Sequence, residues 1–109
     1  MDDSFRQFEY FLDSNEENKI FVKFKNKFDS SEIEEFVIIY FTLIDKIYIQ
    51  VLRYDFSLRE RFHVHHFFDG RKIYFDEKPS FELLFNLCES LEKDWHKYLL
   101  RFNNKQIFI

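Results

Sequence analysis

The sequence predicts an α+β fold: a two-layer sandwich in which a five-stranded antiparallel meander packs against one long C-terminal helix. Two patterns support this prediction. Short stretches that alternate between apolar and polar residues follow one another between residues 19 and 75, with turn-forming residues between them. From residue 81 onward the apolar residues recur at steps of three and four, which is the period of a helix. The length of 109 residues corresponds to a single domain, residues 1–109.

The N-terminal segment carries Phe5, Phe8 and Leu12 at helical spacing. We therefore expect a short helix over residues 3–12 that joins the helical layer. The predicted strands then cover residues 19–28, 35–44, 47–55, 60–68 and 71–75. The second of these is apolar on both faces, which is typical of a strand in the middle of a sheet.

Turn and capping signals separate these elements. Asp45 and Lys46 offer a tight hairpin turn, and Asp69 followed by Gly70 is the strongest hairpin signal in the chain. Ser80 precedes the helical stripe and can accept a hydrogen bond from the first free backbone N–H groups, so we expect it to cap the long helix.

Because side chains alternate across a strand, each predicted strand divides its residues between a helix side and an open side. In the fourth strand Phe62, Val64, His66 and Phe68 fall on the helix side, while Arg59, Arg61, His63, His65 and Phe67 fall on the open side. In the third strand we expect Ile47, Ile49 and Val51 toward the helix and Tyr48, Gln50 and Tyr54 on the open side. The open side is also expected to receive the lysines of the first strand and Phe36, Ile38, Tyr40 and Ile44 of the central strand.

A sheet face of this composition is suited to RNA. Lys and Arg neutralise phosphates, and aromatic rings stack on unpaired bases at roughly 1–3 kcal/mol per base. Histidine titrates near neutral pH, so His63 and His65 can act as acid and base in phosphodiester cleavage. Arg59 or Arg61 would stabilise the charge that gathers on the phosphorus oxygens. This interpretation requires no metal and no cofactor.

Two other interpretations of the open side remain. Its aromatic and central-strand residues are apolar enough to be covered by a second copy or another protein. A non-enzymatic homodimerising or partner-binding module of unknown function is thus the alternative to an RNA-acting protein. His63 and His65 could instead bind zinc together with Asp55, although catalytic zinc sites usually take three protein ligands. His66 lies on the helix side, where we expect a structural role.

The composition disfavours several other classes. The formal net charge of -4 gives no overall attraction to nucleic acids or acidic membranes, and no stretch approaches the roughly 20 apolar residues of a membrane span. Cys88 is the single cysteine, so it forms no internal disulfide; it shares the apolar stripe with Trp95, and we expect an inert core thiol. The acidic N-terminus is unlike a signal peptide, which makes the cytoplasm the default location.

Three segments stand in a recognisable order: "RYD" at 53–55, "FHVHHFFDG" at 62–70 and "KPSFELLFNLCESLEKDW" at 78–95. This order resembles the small prokaryotic TumE-like proteins, over roughly residues 36–102, and extends to a W-x-x-Y pattern at Trp95 and Tyr98. Members of that family are regarded as toxin halves of toxin–antitoxin pairs, with a helix-turn-helix antitoxin as partner. The resemblance implies a candidate site at Arg53, Tyr54, Asp55, His63, His65 and His66. The family tends to place a further histidine pair after its R-Y-D element, where this chain has "FSL".

We therefore expect a toxin-like component of a toxin–antitoxin or defence-associated system that cleaves or binds RNA without a metal. The expected catalytic residues are His63, His65 and Asp55, and the expected substrate-binding residues are Arg53, Tyr54, Arg59 and Arg61. His66, Cys88 and Trp95 are expected to be structural. The expected partners are a second copy of the chain, an antitoxin protein and RNA, with no membrane involved.

Overall fold

The computed structural model describes residues 5–27, 30 and 32–107, with side chains up to residue 104. The elements in chain order are β1 (Arg6–Phe11), β2 (Asn18–Asn26), β3 (Ile33–Ile44), β4 (Ile47–Phe56), β5 (His63–His66), β6 (Lys72–Tyr74) and α1 (Phe81–Ile107). The strands form one antiparallel sheet in the order β1-β2-β3-β4-β5-β6, and α1 packs on one of its faces. This confirms the α+β class and the meander. We call the sheet face that α1 does not cover the open face.

The expectation of an N-terminal helix is wrong, and within the described residues the sheet has six strands where five were expected. Residues 6–11 form β1, which pairs with β2 from Arg6 opposite Phe24 to Phe11 opposite Lys19; residues 3 and 4 lie outside the described residues. The segment carries two periods at once, because Phe8 and Leu12 fit a helix while Phe8, Tyr10 and Leu12 also alternate along a strand. Pairing with the long edge of β2 decides between them.

Both predicted turns are confirmed. Asp45 and Lys46 have positive φ angles of 50° and 68°, and they connect the paired residues Ile44 and Ile47. Positive φ at both central residues is the geometry whose twist matches the flanking strands. Gly70, with φ of 74°, donates its N–H to the carbonyl of His66 at 2.8 Å in the turn between β5 and β6. Glycine adopts this left-handed conformation without steric cost.

An irregularity in β4 reverses the alternation of its side chains. Tyr40 pairs with Leu52, but the next residue of β3, Phe41, pairs with Gln50, so Val51 is an extra residue on β4. Val51 and Leu52 are both fully buried in the core. A bulge of this kind places two residues against one and shifts the strand by one position relative to the pleat. Residues of β4 after the bulge therefore face opposite to the side that strict alternation predicts.

The central strand β3 faces opposite to the prediction for the same residues. Phe36, Ile38 and Tyr40 lie in the core under α1, not on the open face. They are neighbours of the buried Phe24, Val22 and Ile20 of β2, which point toward the helix as expected. A strand that is apolar on both sides carries no alternation from which to assign its faces.

The helix α1 begins where the sequence predicts. The backbone N–H of Leu83 donates to Ser80 Oγ at 3.2 Å, and Glu82 lies in the first turn, where a carboxylate interacts favourably with the helix dipole. Leu91 is fully buried against the sheet. The Trp95 ring packs edge-on against the Tyr40 ring, with the two ring centroids 6.3 Å apart. Within the described residues no helix is long and apolar enough to cross a membrane.

A buried polar network fixes the turn between β1 and β2. Tyr40 donates its hydroxyl to Asn18 Oδ1 at 2.6 Å, and Asn18 Nδ2 donates to Asp13 Oδ2 at 3.0 Å. Asp13 also accepts the backbone N–H groups of Glu17 and Asn18. Burial opposes ionisation of Asp13, but these hydrogen bonds outweigh it and lower the pKa of the carboxyl. The network ties the turn to the middle of the sheet.

Candidate functional site

Two rows of chemically active side chains cross β4, β5 and β6 on the open face. In the first row Arg53 pairs with His65 and His65 pairs with Lys72; we call these three residues the basic row. In the second row Asp55 pairs with His63 and His63 pairs with Tyr74. Neighbouring strands lie about 4.8 Å apart, so each row spans about 10 Å. The sequence predicted that Arg53, Asp55, His63 and His65 belong to one site, and the register brings them together.

The bulge at Val51 is the reason that Arg53 and Asp55 lie on this face. Arg53 Nε lies 3.3 Å from Asp55 Oδ2, and both side chains are partly exposed. The Nε atom is itself buried and forms no hydrogen bond of good geometry within the described residues. Because the Arg53 side chain is partly exposed, the terminal N–H groups of its guanidinium can reach a ligand, while the Asp55 carboxylate holds it in place.

His63 lies in the second row but is enclosed. Its side chain is 3% exposed, and its Nδ1 donates to the carbonyl of Arg61 at 2.9 Å. Its Nε2 lies 3.7 Å from Glu60 Oε1, and the Tyr74 ring lies 5.2 Å from the imidazole. His63 is therefore oriented by its neighbours and does not meet solvent directly.

Glu60 is a site residue that the sequence analysis missed. It lies in the loop before β5, and its Oε2 accepts hydrogen bonds from Lys72 Nζ at 3.2 Å and from the Tyr74 hydroxyl. The bond from Tyr74 and the bond from Lys72 lower the pKa of its carboxyl. Glu60 contacts both rows, so it positions Lys72 at the end of the basic row. In the sequence, the only signal that Glu60 belongs to the site is its position between Arg59 and Arg61.

His65 is the accessible histidine of the site. It is half-buried, and its ring stacks on Phe67 with centroids 4.2 Å apart. Desolvation is the main cause that lowers its pKa, with further contributions from Lys72, His63 and Arg53. The imidazole is therefore neutral at pH 7, flanked by two permanent cations. A neutral imidazole can accept a proton, and the cations beside it can bind an anion at the same position.

The other predicted substrate-binding residues lie elsewhere. Tyr54 was expected on the open side, but it is 8% exposed and lies in the core beside the Phe62 ring, because the bulge reverses its direction. Arg59 and Arg61 belong to the loop before β5, not to the strand. Arg61 still reaches the site, since its guanidinium lies 5.2 Å from the Tyr74 ring centroid. Arg59 is exposed, and its backbone N–H donates to Ser57 Oγ.

The residues expected to be structural lie on the helix side. His66 is half-buried, and its ring stacks on Phe68 at 4.7 Å and lies 6.1 Å from Tyr98. Desolvation, followed by the charges of Arg101 and Arg71, lowers its pKa, although Asp69 opposes this shift. Cys88 and Trp95 are buried in the core, as expected. Burial raises the pKa of the Cys88 thiol to about 11, which keeps the thiol protonated at neutral pH.

A cleft of about 180 Å³ adjoins the rows on the β3 side. Its lining includes Arg53 and Asp55 of β4, Lys23 of β2 and Glu35 of β3, and Phe5 contributes an aromatic ring. Lys23 Nζ lies 4.8 Å from the Phe5 ring centroid. The site thus combines a row of cations with a neighbouring recess that carries both charge and an aromatic surface.

Among the described residues, no group of three or more His, Cys, Asp and Glu side chains is arranged to hold a metal ion. His63 is enclosed with one nitrogen bonded to a carbonyl, so the zinc interpretation of His63, His65 and Asp55 gains no support from the geometry. No protein family model, curated protein or solved structure matches the chain. The resemblance to TumE-like proteins stays a prediction.

Proposed function

We propose that this protein binds single-stranded RNA on the open face of its sheet and cleaves it without a metal, with His65 as the general base. The observation that carries the proposal is the basic row, in which a neutral imidazole lies between an arginine and a lysine on three neighbouring strands. Cationic side chains spaced across about 10 Å can hold the phosphates on both sides of one nucleotide.

The surroundings of the row supply surfaces for bases. The Phe67 ring already stacks on His65, and the recess beside Arg53 includes the ring of Phe5. Stacking of unpaired bases on aromatic side chains is tolerant of sequence and contributes roughly 1–3 kcal/mol per base. A duplex cannot present its bases to such a surface, so single strands are the expected substrate.

The cleavage step follows from the position of His65. Its imidazole removes the proton of a ribose 2′-hydroxyl, and the 2′ oxygen attacks the adjacent phosphorus. The bond from phosphorus to the 5′ oxygen breaks, and the departing oxygen takes a proton from solvent. The products are a 2′,3′-cyclic phosphate and a 5′-hydroxyl end. Arg53 and Lys72 stabilise the charge on the phosphorus oxygens, while Asp55 and Glu60 hold these cations in position.

Charge balance sets the conditions for binding. Arg53 has an acidic neighbour in Asp55, Lys72 has one in Glu60, and the whole chain carries a formal net charge of -4. Local contacts with the basic row therefore favour RNA binding, while the negative net charge of the whole chain opposes it. Binding is expected to be modest at physiological salt and to strengthen when His65 is protonated.

The competing interpretation is that a second copy covers the open face. It depended on apolar residues of the central strand that were expected to be exposed there. Phe36, Ile38 and Tyr40 lie under the helix and do not need a partner. The apolar residue at the centre of the open face, Ile39, is already 8% exposed in the single chain. Lys19 further covers this face, with its Nζ 4.0 Å from the Tyr48 ring centroid.

A toxin-like role in a toxin–antitoxin or defence-associated system is the setting we propose for this activity. Its support is the R-Y-D element and the histidine cluster, which the register brings onto neighbouring strands. A neighbouring gene for a helix-turn-helix protein, together with growth arrest on expression of this chain alone, would agree with that role. Unimpaired growth at high expression would argue against it.

The direct test uses 5′-labelled single-stranded RNAs of mixed sequence, incubated with purified protein in EDTA. We expect cleavage that leaves 2′,3′-cyclic phosphate ends, and we expect His65→Asn to abolish cleavage while RNA binding persists. His96→Asn is the matched control, because His96 is an exposed histidine on α1. An inactive wild-type protein that also fails to bind RNA by fluorescence anisotropy would refute the proposal.

A further inference from the structure

No strand of the described part of the chain pairs with the outer edge of β1, and this edge also carries exposed aromatic side chains. β1 ends the sheet on one side and β6 ends it on the other. β6 spans only Lys72–Tyr74 and bears a lysine, which are ordinary protections of a sheet edge. β1 is twice as long, and its Phe5, Phe8 and Phe11 flank or lie within it at 40%, 46% and 43% exposure.

The helix side of this edge is also incompletely covered. A groove of about 360 Å³ lies between β1 and α1, with Phe8 and Phe85 at its rim and Cys88 in its wall. Phe85 is 66% exposed although it lies in the first half of the helix. Exposed apolar side chains that are contiguous with an open strand edge are typical of a protein interface.

From these features we propose that two copies of this chain associate through β1, pairing antiparallel about a two-fold axis at Phe8 to form one continuous sheet. The proposal concerns the edge of the sheet and does not depend on the RNA proposal for the open face.

The backbone phase of β1 permits this pairing. The N–H of Leu12 donates to the carbonyl of Asn18 in β2. Because bonding direction alternates along an antiparallel strand, even-numbered residues of β1 bond to β2 and the backbone groups of Gln7 and Glu9 point outward. With the axis at Phe8, Gln7 pairs with Glu9 of the second copy through those outward groups. The two Phe8 residues then form a non-hydrogen-bonded pair, in which side chains approach most closely.

The same register accounts for all the exposed rings of the edge. Phe5 of one copy lies opposite Phe11 of the other on the open face, while the two Phe8 rings meet on the helix side beside both Phe85 rings. A shift of two residues in one direction would instead place Glu9 opposite Glu9, which is unfavourable for like charges. The register centred at Phe8 avoids this contact and pairs residues 5–11 of one copy with residues 11–5 of the other.

The distribution of charged side chains along the edge of β1 also favours a second copy of this chain as the partner. Arg6 is exposed and is paired with Phe24, so it lies on the helix side of β1. The axis at Phe8 places it opposite Tyr10 of the other copy, whose hydroxyl donates to Glu92 Oε2 at 2.8 Å. Glu89 and Glu92 line this end of the groove. The surface is therefore basic at one end and acidic at the other, and the two-fold axis brings unlike ends together.

Sedimentation equilibrium tests the association. We expect the wild-type chain to reach twice its mass of 13.7 kDa with increasing concentration. Phe8→Glu or Phe85→Glu should raise the dissociation constant at least roughly 30-fold, as expected for a central interface residue. Gln7→Pro should have the same effect without unfolding the chain, because its N–H points away from β2. Leu100→Glu, a 62% exposed control on the same helix, should dimerise normally.

Cross-linking tests the register. In a Cys88→Ala background, Phe8→Cys should form an intermolecular disulfide rapidly under mild oxidation, since residues in a non-hydrogen-bonded pair have Cα atoms about 4.5 Å apart. Tyr10→Cys should not, because each Tyr10 lies opposite Arg6 of the other copy. A wild-type chain that stays monomeric at high concentration, a dimer that survives both glutamate substitutions, or equal cross-linking at positions 8 and 10 would overturn the proposal.

Discussion

Replacing Lys72 by glutamine should change the salt dependence of RNA binding by a defined amount. Arg53 and Lys72 are the permanent cations of the basic row, and His65 is neutral at pH 7.5 because its pKa is lowered by desolvation and by Lys72. Each phosphate that a cation neutralises on a single strand contributes about −0.7 to the slope of log K against log salt concentration. We expect a slope of about −1.4 at pH 7.5, of about −0.7 in Lys72→Gln, and of about −2.1 for the wild type once His65 is protonated.

Fluorescence anisotropy with a short labelled oligonucleotide, titrated at several salt concentrations, measures these slopes. Lys97→Gln is the control, since Lys97 is 78% exposed on α1, away from the open face. Lys97→Gln changes the net charge by the same amount as Lys72→Gln but leaves the basic row intact. Equal effects of the two substitutions would show that RNA binding responds only to the net charge of the protein and not to the basic row, and the argument from the row would fail.

Three further predictions concern stability. Tyr40→Phe leaves the buried Asn18 Oδ1 without its donor, so the free energy of unfolding should fall by about 1–3 kcal/mol in urea titrations; an unchanged midpoint would contradict this. Leu91→Ala, at a fully buried position, should cost about 2–5 kcal/mol, whereas Leu100→Ala should cost less than about 0.5 kcal/mol. The lowered pKa of His66 means that the unfolded chain binds the proton more readily, so stability is complete above the ordinary histidine pKa and falls as the pH drops below it. Thermal melts from pH 7.5 to 5 should show a weaker dependence in His66→Phe, and an identical dependence would refute the assignment.

Local signals in the sequence were sufficient for most of the fold. The alternation in residues 19–26, the turn at Asp45 and Lys46 and the cap at Ser80 each depend on neighbouring residues, and each is present in the structure. The N-terminal segment was different, because its few apolar residues fit both periods. The partner strand β2, which begins only at Asn18 and lies outside the segment itself, determines its conformation.

The faces on which the candidate site residues lie were predicted correctly where strands are regular and incorrectly where they are not. His63 and His65 share a face with each other because β5 alternates without interruption. Tyr54 was misplaced because an extra residue at position 51 leaves no mark in composition or periodicity. Glu60 was missed because its contacts with Lys72 and Tyr74 depend on the path of a loop, which sequence patterns do not specify.

The extra residue at Val51 makes the candidate site sensitive to the loss of a single codon. If Val51 were deleted, regular pairing would continue through β4, and Arg53 and Asp55 would turn beneath α1 while Leu52 and Tyr54 turned toward solvent. The hairpin at Asp45 and Lys46 would be unaffected. The same sheet would then carry buried charges and no candidate site, so a change of length at this point of the strand has a larger consequence than one in a loop.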